Sequence, residues 1–495
     1  MATTRINHAG MSRPNVLLIC TDHWPGKMIG ALGHPTIQSP TVDQMVRNGI
    51  AFTNAYSTTP MCIPARRELM TGVFSRTHGD RVFNDKLPMP DLPTIAQTFR
   101  DAGYQAYGVG KFHINPPRNR IGFDDVLIHE AGRLGDRDDQ MVEDDYEHFL
   151  TERGYPGLET QGGIHNTYEY KPWYLPEYLH YTNWTAREMS RFIARRDRDR
   201  PSFWYMSFDA PHPPLDAPQS YMEIYRGLEI DEPFVGDWAT DYEGMPFALK
   251  ARPASYREKA LSSDVTRQIR AGFYALSTHI DHQVRSVIGL LREQGILDNT
   301  ILMFTSDHGN MLGNHGLYNI GLFYEWCTNV PMVLVPTPAQ VELMGPGRID
   351  DRLVAHADIM PTLLDMCDIS IPSSVEGMSM IGDRMRDHLY GEFGEEGTAS
   401  RMVVDGHNKL IYYPVGNRCQ LFDLRTDPNE MHDVAAEPTY SDLKARMLAL
   451  LLDNLYGTDL KWVEDGNLVG LPDMERTAVY DQNSTFGNAR GYRIR

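Results

Sequence analysis

What most restricts the folding of this chain is a recurring pair: a short, unbroken apolar run, then a stretch with helical spacing. Residues 15–20 read NVLLIC, residues 201–208 PSFWYMSF and residues 301–305 ILMFT. Runs this short and this free of polar alternation suit strands covered on both faces, as in parallel sheets. Residues 105–109 and the segment IAFTNAY at 50–56 read as further strands, and helices are expected at 41–48, 92–102 and 264–294. The alternation predicts an α/β protein with one mixed or parallel sheet and helices on both faces.

A length of 495 residues with 41% hydrophobic content allows two to three domains, or one large α/β unit with a satellite. Towards the C terminus RMVVDG, KLIYYP and CQLFDL, separated by turn residues, read as antiparallel strands, with a helix over 441–456. The expected division is a main domain at 12–375 and a C-terminal α+β subdomain with an extended tail at 376–495.

Sheets of this kind carry their chemistry in loops beyond the strand C-termini. Asp22 directly follows LLICT, where a carboxylate is either a helix N-cap or a metal ligand. In TPMCIPARRELMTG, Pro64 biases Ile63 toward extended geometry, so Cys62 is expected at the mouth of a rigid turn, ahead of a helix over 65–70 that Gly72 ends. Beside Arg66 and Arg67 a thiol feels a field that favours an anionic nucleophile or ligand; taken alone, a lone cysteine is more often a small buried hydrophobe. Lys111 and His113 in GVGKFHIN share one side if the chain stays extended. His212 stands between prolines in APHPP, a rigid mount for a proton donor or acceptor. Asp307 and His308 pair a carboxylate with an imidazole in a glycine-bounded loop, which suits a divalent cation.

The formal net charge is −19, so neither nucleic acid nor an anionic membrane is expected as a partner, and an anionic substrate needs a local positive cluster. The five cysteines show no C-x-x-C spacing, which argues against a disulfide framework and a cysteine zinc site. With no signal-peptide core at the start and no long apolar run, a cytoplasmic setting is expected.

Cys62, Pro64, Arg66, Met70, Thr71 and Gly72 match the pattern Cys-x-Pro-x-Arg followed by Leu/Met-Thr-Gly. PNVLLICTD, GYQAYGVGKFHI, APHPP, TSDHGNMLGNHGLY, FYE, VPMV, HNKLIYYP and QLFDLRTDPNE accompany it in a fixed order. Through these segments, from about residue 14 to about residue 451, the chain resembles the type I, formylglycine-dependent sulfatases of the alkaline phosphatase superfamily. The resemblance implies an alkaline-phosphatase-like fold and cleavage of an organic sulfate monoester to alcohol and inorganic sulfate. It implies that a formylglycine-generating enzyme oxidises Cys62, and that the hydrated aldehyde attacks through one oxygen and expels sulfate through the other. One divalent metal ion, Ca2+, Mn2+ or Mg2+, would be held by Asp22, Asp307, His308 and an oxygen of modified Cys62. Arg66 would polarise the nucleophile, Lys111 bind an ester oxygen, His113 assist the diol, and His212 protonate the leaving oxygen or bond a sulfate oxygen. Asn84 would lie near metal and ester.

Several positions depart from the family pattern. His23 stands where many members have a second acid, and Asp307-His308 where others have Asp-Asn; both resemble the bacterial branch that includes choline sulfatase and the phosphonate monoester hydrolases. Tyr318-Asn319-Ile320-Gly321 lacks a lysine common before FYE, so His315 or the insertion at 125–200 is expected to replace it at the substrate. The aromatic segment 165–184 either packs an extra helix and loop or walls the pocket, and the acidic run 136–145 is expected to be a solvated face. The expected substrate is a small soluble sulfate ester, and the tail at 457–495 is expected to join a homo-oligomer. A phosphonate monoester or phosphodiester hydrolase using the same site is the alternative function, and a noncatalytic binding relative a third.

Overall fold

Alternate side chains of a strand point to opposite faces, so a strand that is apolar throughout must be covered twice. β1 (Asn15–Thr21) shows this: Leu17 and Ile19 join one core with Trp24 and Phe304, while Val16, Leu18 and Cys20 join another with Leu69 and Phe203. The computed structural model describes residues 13–130, 144–163, 165–241, 243–251, 261–344 and 347–474. Most of the acidic run expected as a solvated face, and the tail beyond residue 474, lie outside the described residues.

β1 is central in an eight-stranded sheet with β2 (Ile50–Phe52), β3 (Gln105–Gly110), β4 (Asp125–Ile128), β5 (Ser202–Ser207), β6 (Thr300–Ser306), β7 (Met332–Val335) and β8 (Arg348–Asp350). The spatial order is β4-β3-β5-β1-β6-β7-β2-β8. β7 runs antiparallel to both neighbours and the remaining pairings are parallel, so the sheet is mixed and mostly parallel. The Ser263–Glu293 helix covers one face, starting where the Ser262 hydroxyl accepts the Val265 N–H at 3.3 Å. Ile269, Phe273, Leu276, Ile280, Val284, Val287 and Leu291, three and four apart, are all buried. Full burial of each such side chain stabilises by roughly 1.5–3 kcal/mol, so Leu276→Ala would cost about 2–5 kcal/mol.

Two expected elements differ in extent. The helix expected from residue 92 begins at Ile95, because Thr94 is its cap and accepts the Gln97 N–H at 3.1 Å. The strand expected over 50–56 is two strands in separate sheets: Asn54 donates through Nδ2 to the Asp351 carbonyl at 2.7 Å, and Ala55–Tyr56 pairs with Val354–Ala355.

A second, antiparallel sheet holds β9 (Leu389–Phe393), β10 (Ser400–Val404), β11 (Asn408–Tyr413) and β12 (Arg418–Asp423). Val403, Leu410 and Leu421 pack with Met447 and Leu451 of the Ser441–Asn454 helix. Met402, Val404, Ile411 and Phe422 on its other face belong to the main core. No helix among the described residues is long and apolar enough to cross a membrane.

Candidate active site

The strands β4, β3, β5, β1 and β6 lie side by side, and the polar residues just beyond them converge. Hydrogen bonding continues past the strand ends: Lys111 donates its N–H to Ser207 at 3.0 Å, Phe208 to Cys20 at 2.9 Å, Asp22 to Ala210 at 3.3 Å and Asp307 to Thr21 at 3.1 Å. These bonds fix the backbone that carries Asp22, Lys111, Asp209, His212, Asp307 and His308, all of them buried. Gly110 makes the turn toward Lys111 at φ 106°, where a Cβ would come within 1.7 Å of the Ser207 carbonyl oxygen.

Cys62 is the first residue of the Cys62–Thr71 helix, which corrects the expectation of a turn ahead of it. Pro64 falls in the first helical turn, where a missing N–H removes no intrahelical bond, so Ile63 is helical rather than extended. Gly72 closes the helix at φ 69°, as expected. The thiol at the positive helix end has Sγ 3.2 Å from His308 Nε2 and 3.8 Å from Asp22 Oδ1. One turn on, Arg66 binds Asp307 Oδ2 through Nε at 2.9 Å. Its Nη1 donates to the Lys111 carbonyl and to Ser207 Oγ, both at 2.8 Å, so one guanidinium ties the helix to three strand ends. Lys111 Nζ pairs with Asp22 Oδ2 and, at 2.9 Å, with Asp209 Oδ1.

Burial pushes the Asp22 carboxyl up, but Lys111, His23, His212 and Arg66 outweigh it and hold the group well below the usual carboxylate range. Asp307 is raised, by burial first and then by repulsion from Asp22. A divalent cation would relieve that repulsion. Asp22, His23, Cys62 and His308 bring ligand-type atoms within 4.8 Å of one another, and Asp307 Oδ1 lies 3.6 Å from His308 Nε2. His308 gives its Nδ1 proton to the Gly309 carbonyl at 3.0 Å, which leaves the Nε2 lone pair facing the cluster. The residues present fit a divalent metal ion.

His212 stands in the same cluster, its ring centroid 4.5 Å from that of His23 and its Nδ1 proton donated to the Pro213 carbonyl at 2.7 Å. His113 does not continue in line with Lys111. The N–H groups of Phe112 and His113 both reach Glu130 Oε1, at 3.0 and 2.9 Å, and φ of His113 is 57°, so the chain turns and the ring packs edge-on against Phe83. Asn84 is exposed, and its Oδ1 accepts the Lys86 N–H at 3.2 Å in a local turn. The His315 ring accepts the Gly236 N–H at 3.0 Å and packs against Phe234 and Trp238; burial pushes it down to about 4. Asp209 and Asn310 also belong to the site, and their one mark in the sequence is position, three residues from His212 and from Asp307 in the same loops.

Strand ends that gather carboxylates, imidazoles, a thiol, a lysine and an arginine define a hydrolase of the kind that acts on anionic esters. The sulfatase family profile matches residues 14–369, and a profile described as N-sulphoglucosamine sulphohydrolase, C-terminal, matches 313–455. An arylsulfatase of Clostridium perfringens is 34% identical over 481 residues, covering 93% of this chain and 98% of its own length. A choline-sulfatase of Rhizobium meliloti is 27% identical over 447 residues, with 86% and 83% covered. The phosphonate monoester hydrolase of Agrobacterium radiobacter shares the fold, with a TM-score of 0.74 at 24% identity over 91% of this chain and 98% of that one. The chain belongs to the sulfatase family and is a sulfuric ester hydrolase.

Proposed function

We propose that this enzyme cleaves a small organic sulfate monoester with a formylglycine derived from Cys62 and one divalent metal ion. The observation that carries the reading is Cys62 Sγ at a helix N-terminus, 3.2 Å from His308 Nε2 and 3.8 Å from Asp22 Oδ1. Sγ there stands in for an oxygen of the hydrated aldehyde, which a formylglycine-generating enzyme would install. Asp22, Asp307 and His308 would hold the ion together with that oxygen, and the ion would supply Lewis-acid stabilisation of the ester's charge.

The chain's own groups do the positioning and the proton transfer. Arg66 locks the nucleophile's helix to the strand ends, so the reacting groups need little reorganisation. Lys111, held between Asp22 and Asp209, would bind an ester oxygen. His212 has committed Nδ1 to Pro213, so it exchanges a proton through Nε2, which suits the leaving oxygen. On the alcohol side, the Tyr168 hydroxyl donates to Asn310 Oδ1 and accepts the Asn319 N–H, both at 2.8 Å, which supports Tyr168 as pocket wall. Trp173, Tyr181 and Trp184 of the same aromatic segment are buried in the core.

The test is the initial hydrolysis rate of 4-nitrophenyl sulfate against 4-nitrophenyl phenylphosphonate, with protein coexpressed with the maturation enzyme and Cys62→Ala as control. A large preference for sulfate, absent from the control, is expected. A preference for the phosphonate would transfer the same site to the alternative function.

A further inference from the structure

His23 is buried at 1% exposure, with its ring 4.5 Å from His212 and 4.7 Å from His308 between centroids. Its Nε2 lies 3.4 Å from Asp22 Oδ1 and makes no hydrogen bond. By proximity alone it is one more metal ligand. The hydrogen bonds behind the ring exclude that role. Asn310 Oδ1 accepts the Leu312 backbone N–H at 3.0 Å and the Tyr168 hydroxyl at 2.8 Å. A backbone N–H can only donate, so this end of the amide is the oxygen, and the end that meets His23 Nδ1 at 2.8 Å is the NH2 group. Nδ1 therefore accepts, and the ring's proton sits on Nε2. A nitrogen that carries a proton has no lone pair to give a metal. What remains is a buried N–H within the cluster that makes no hydrogen bond, with Asp22 Oδ1 at 3.4 Å, a costly arrangement unless a ligand accepts from it.

We propose that His23 is an oxyanion donor whose Nε2–H binds a non-bridging oxygen of the sulfate group beside the nucleophile, with Asn310 as the positioning residue that holds the proton on that nitrogen. The proposal rests on the sulfatase reading. Calorimetric titration of inorganic sulfate into Mn2+-loaded protein, with metal content measured in parallel, tests it without turnover. His23→Leu should weaken sulfate binding by about tenfold or more and lower kcat/KM for 4-nitrophenyl sulfate by about a hundredfold, with metal content and metal affinity unchanged. His23→Gln, which keeps an N–H nearby, should recover most of the sulfate affinity. Loss of metal from His23→Leu would overturn the proposal in favour of a ligand role, and unchanged sulfate affinity would overturn it outright. Asn310→Asp is a second route: a carboxylate accepts where the amide donated, which moves the ring proton to Nδ1 and turns a lone pair toward the cluster. Sulfate binding should then fall as in His23→Leu while metal binding tightens, and unchanged sulfate binding would count against the proposal. If the wild type binds sulfate in a His23-dependent way yet hydrolyses no sulfate ester, the functional reading fails and the donor assignment stands.

Discussion

Lys409 in β11 and Lys111 beyond β3 are both fully buried cations, and the clusters around them are built differently. Lys409 Nζ reaches Glu325 Oε1 at 2.6 Å and Glu430 Oε1 at 2.9 Å. The Tyr56 hydroxyl donates to Glu325 Oε1 at 3.0 Å, and Glu430 Oε2 accepts the Glu325 N–H at 2.7 Å. With Lys27 at 3.9 Å from Glu325 Oε2, two cations face two carboxylates, and the C-terminal sheet is joined to the main core. At the strand ends Lys111 and Arg66 face Asp22, Asp209 and Asp307, while His23 Nε2 and Arg66 Nη2 make no hydrogen bond. Buried charge is therefore common to structure and chemistry in this molecule. What separates these two clusters is that the charged groups around Lys409 are all hydrogen-bonded, whereas the strand-end cluster keeps N–H groups without a partner.

The sharpest separation of the two clusters is expected from Cys62→Ala: aryl sulfate hydrolysis should fall by at least about a thousandfold while the thermal unfolding curve hardly moves. A variant that unfolds early would instead make Cys62 a packing residue. Removing metal with a chelator should abolish activity and lower the melting temperature, since an ion at a hundred times its Kd stabilises the native state by about 2.7 kcal/mol. Identical calorimetric scans with and without chelator would show that no ion is bound.

Lys409→Met should do the converse, costing about 3–5 kcal/mol in urea unfolding because Glu430 loses its hydrogen-bonded cation and Glu325 keeps only Lys27 at 3.9 Å, with kcat/KM of the folded enzyme within about twofold. A kinetic defect at unchanged stability would put Lys409 in the chemistry. Burial also raises Glu68 to about 8 and Asp216 to about 7. The native state then holds protons that the unfolded chain releases, so the stability these two groups contribute is greatest at low pH and declines as pH rises, from about 4.5 to 8 for Glu68 and from about 4 to 7 for Asp216, by about 1.4 kcal/mol per unit for each group between its two pKa values. Melting temperatures across that range should decline less steeply in Glu68→Gln; an unchanged slope would mean that Glu68 is ionised in the native state. The smallest effect belongs to His315→Phe, with kcat/KM within about twofold and stability altered by about 1 kcal/mol, as for a packing residue. A hundredfold loss of kcat/KM there would instead place His315 at the substrate.

Much of this architecture is local in origin. The run at 15–20 becomes β1, that at 301–305 becomes β6, and the periodic stretch at 264–294 becomes the Ser263–Glu293 helix, because apolar spacing alone distinguishes a doubly covered strand from a one-sided helix. Asp22, His212, Asp307 and His308 were legible for the same reason, as polar residues set directly beyond such strands. Other features depend on partners distant in the chain. The turn at His113 is held by Glu130 from beyond β4, and the split after Phe52 by Asn54 on Asp351. The bias of Pro64 that favours an extended Ile63 has little force in a first turn whose N–H groups have no intrahelical partners, and only the folded chain shows where the turn begins. The proton on His23 is set by Asn310, 287 positions away, which no local pattern encodes. Residue spacing thus determined which groups could meet, whereas their hydrogen-bonding state was decided only when β1 and β6 paired and brought both loops together.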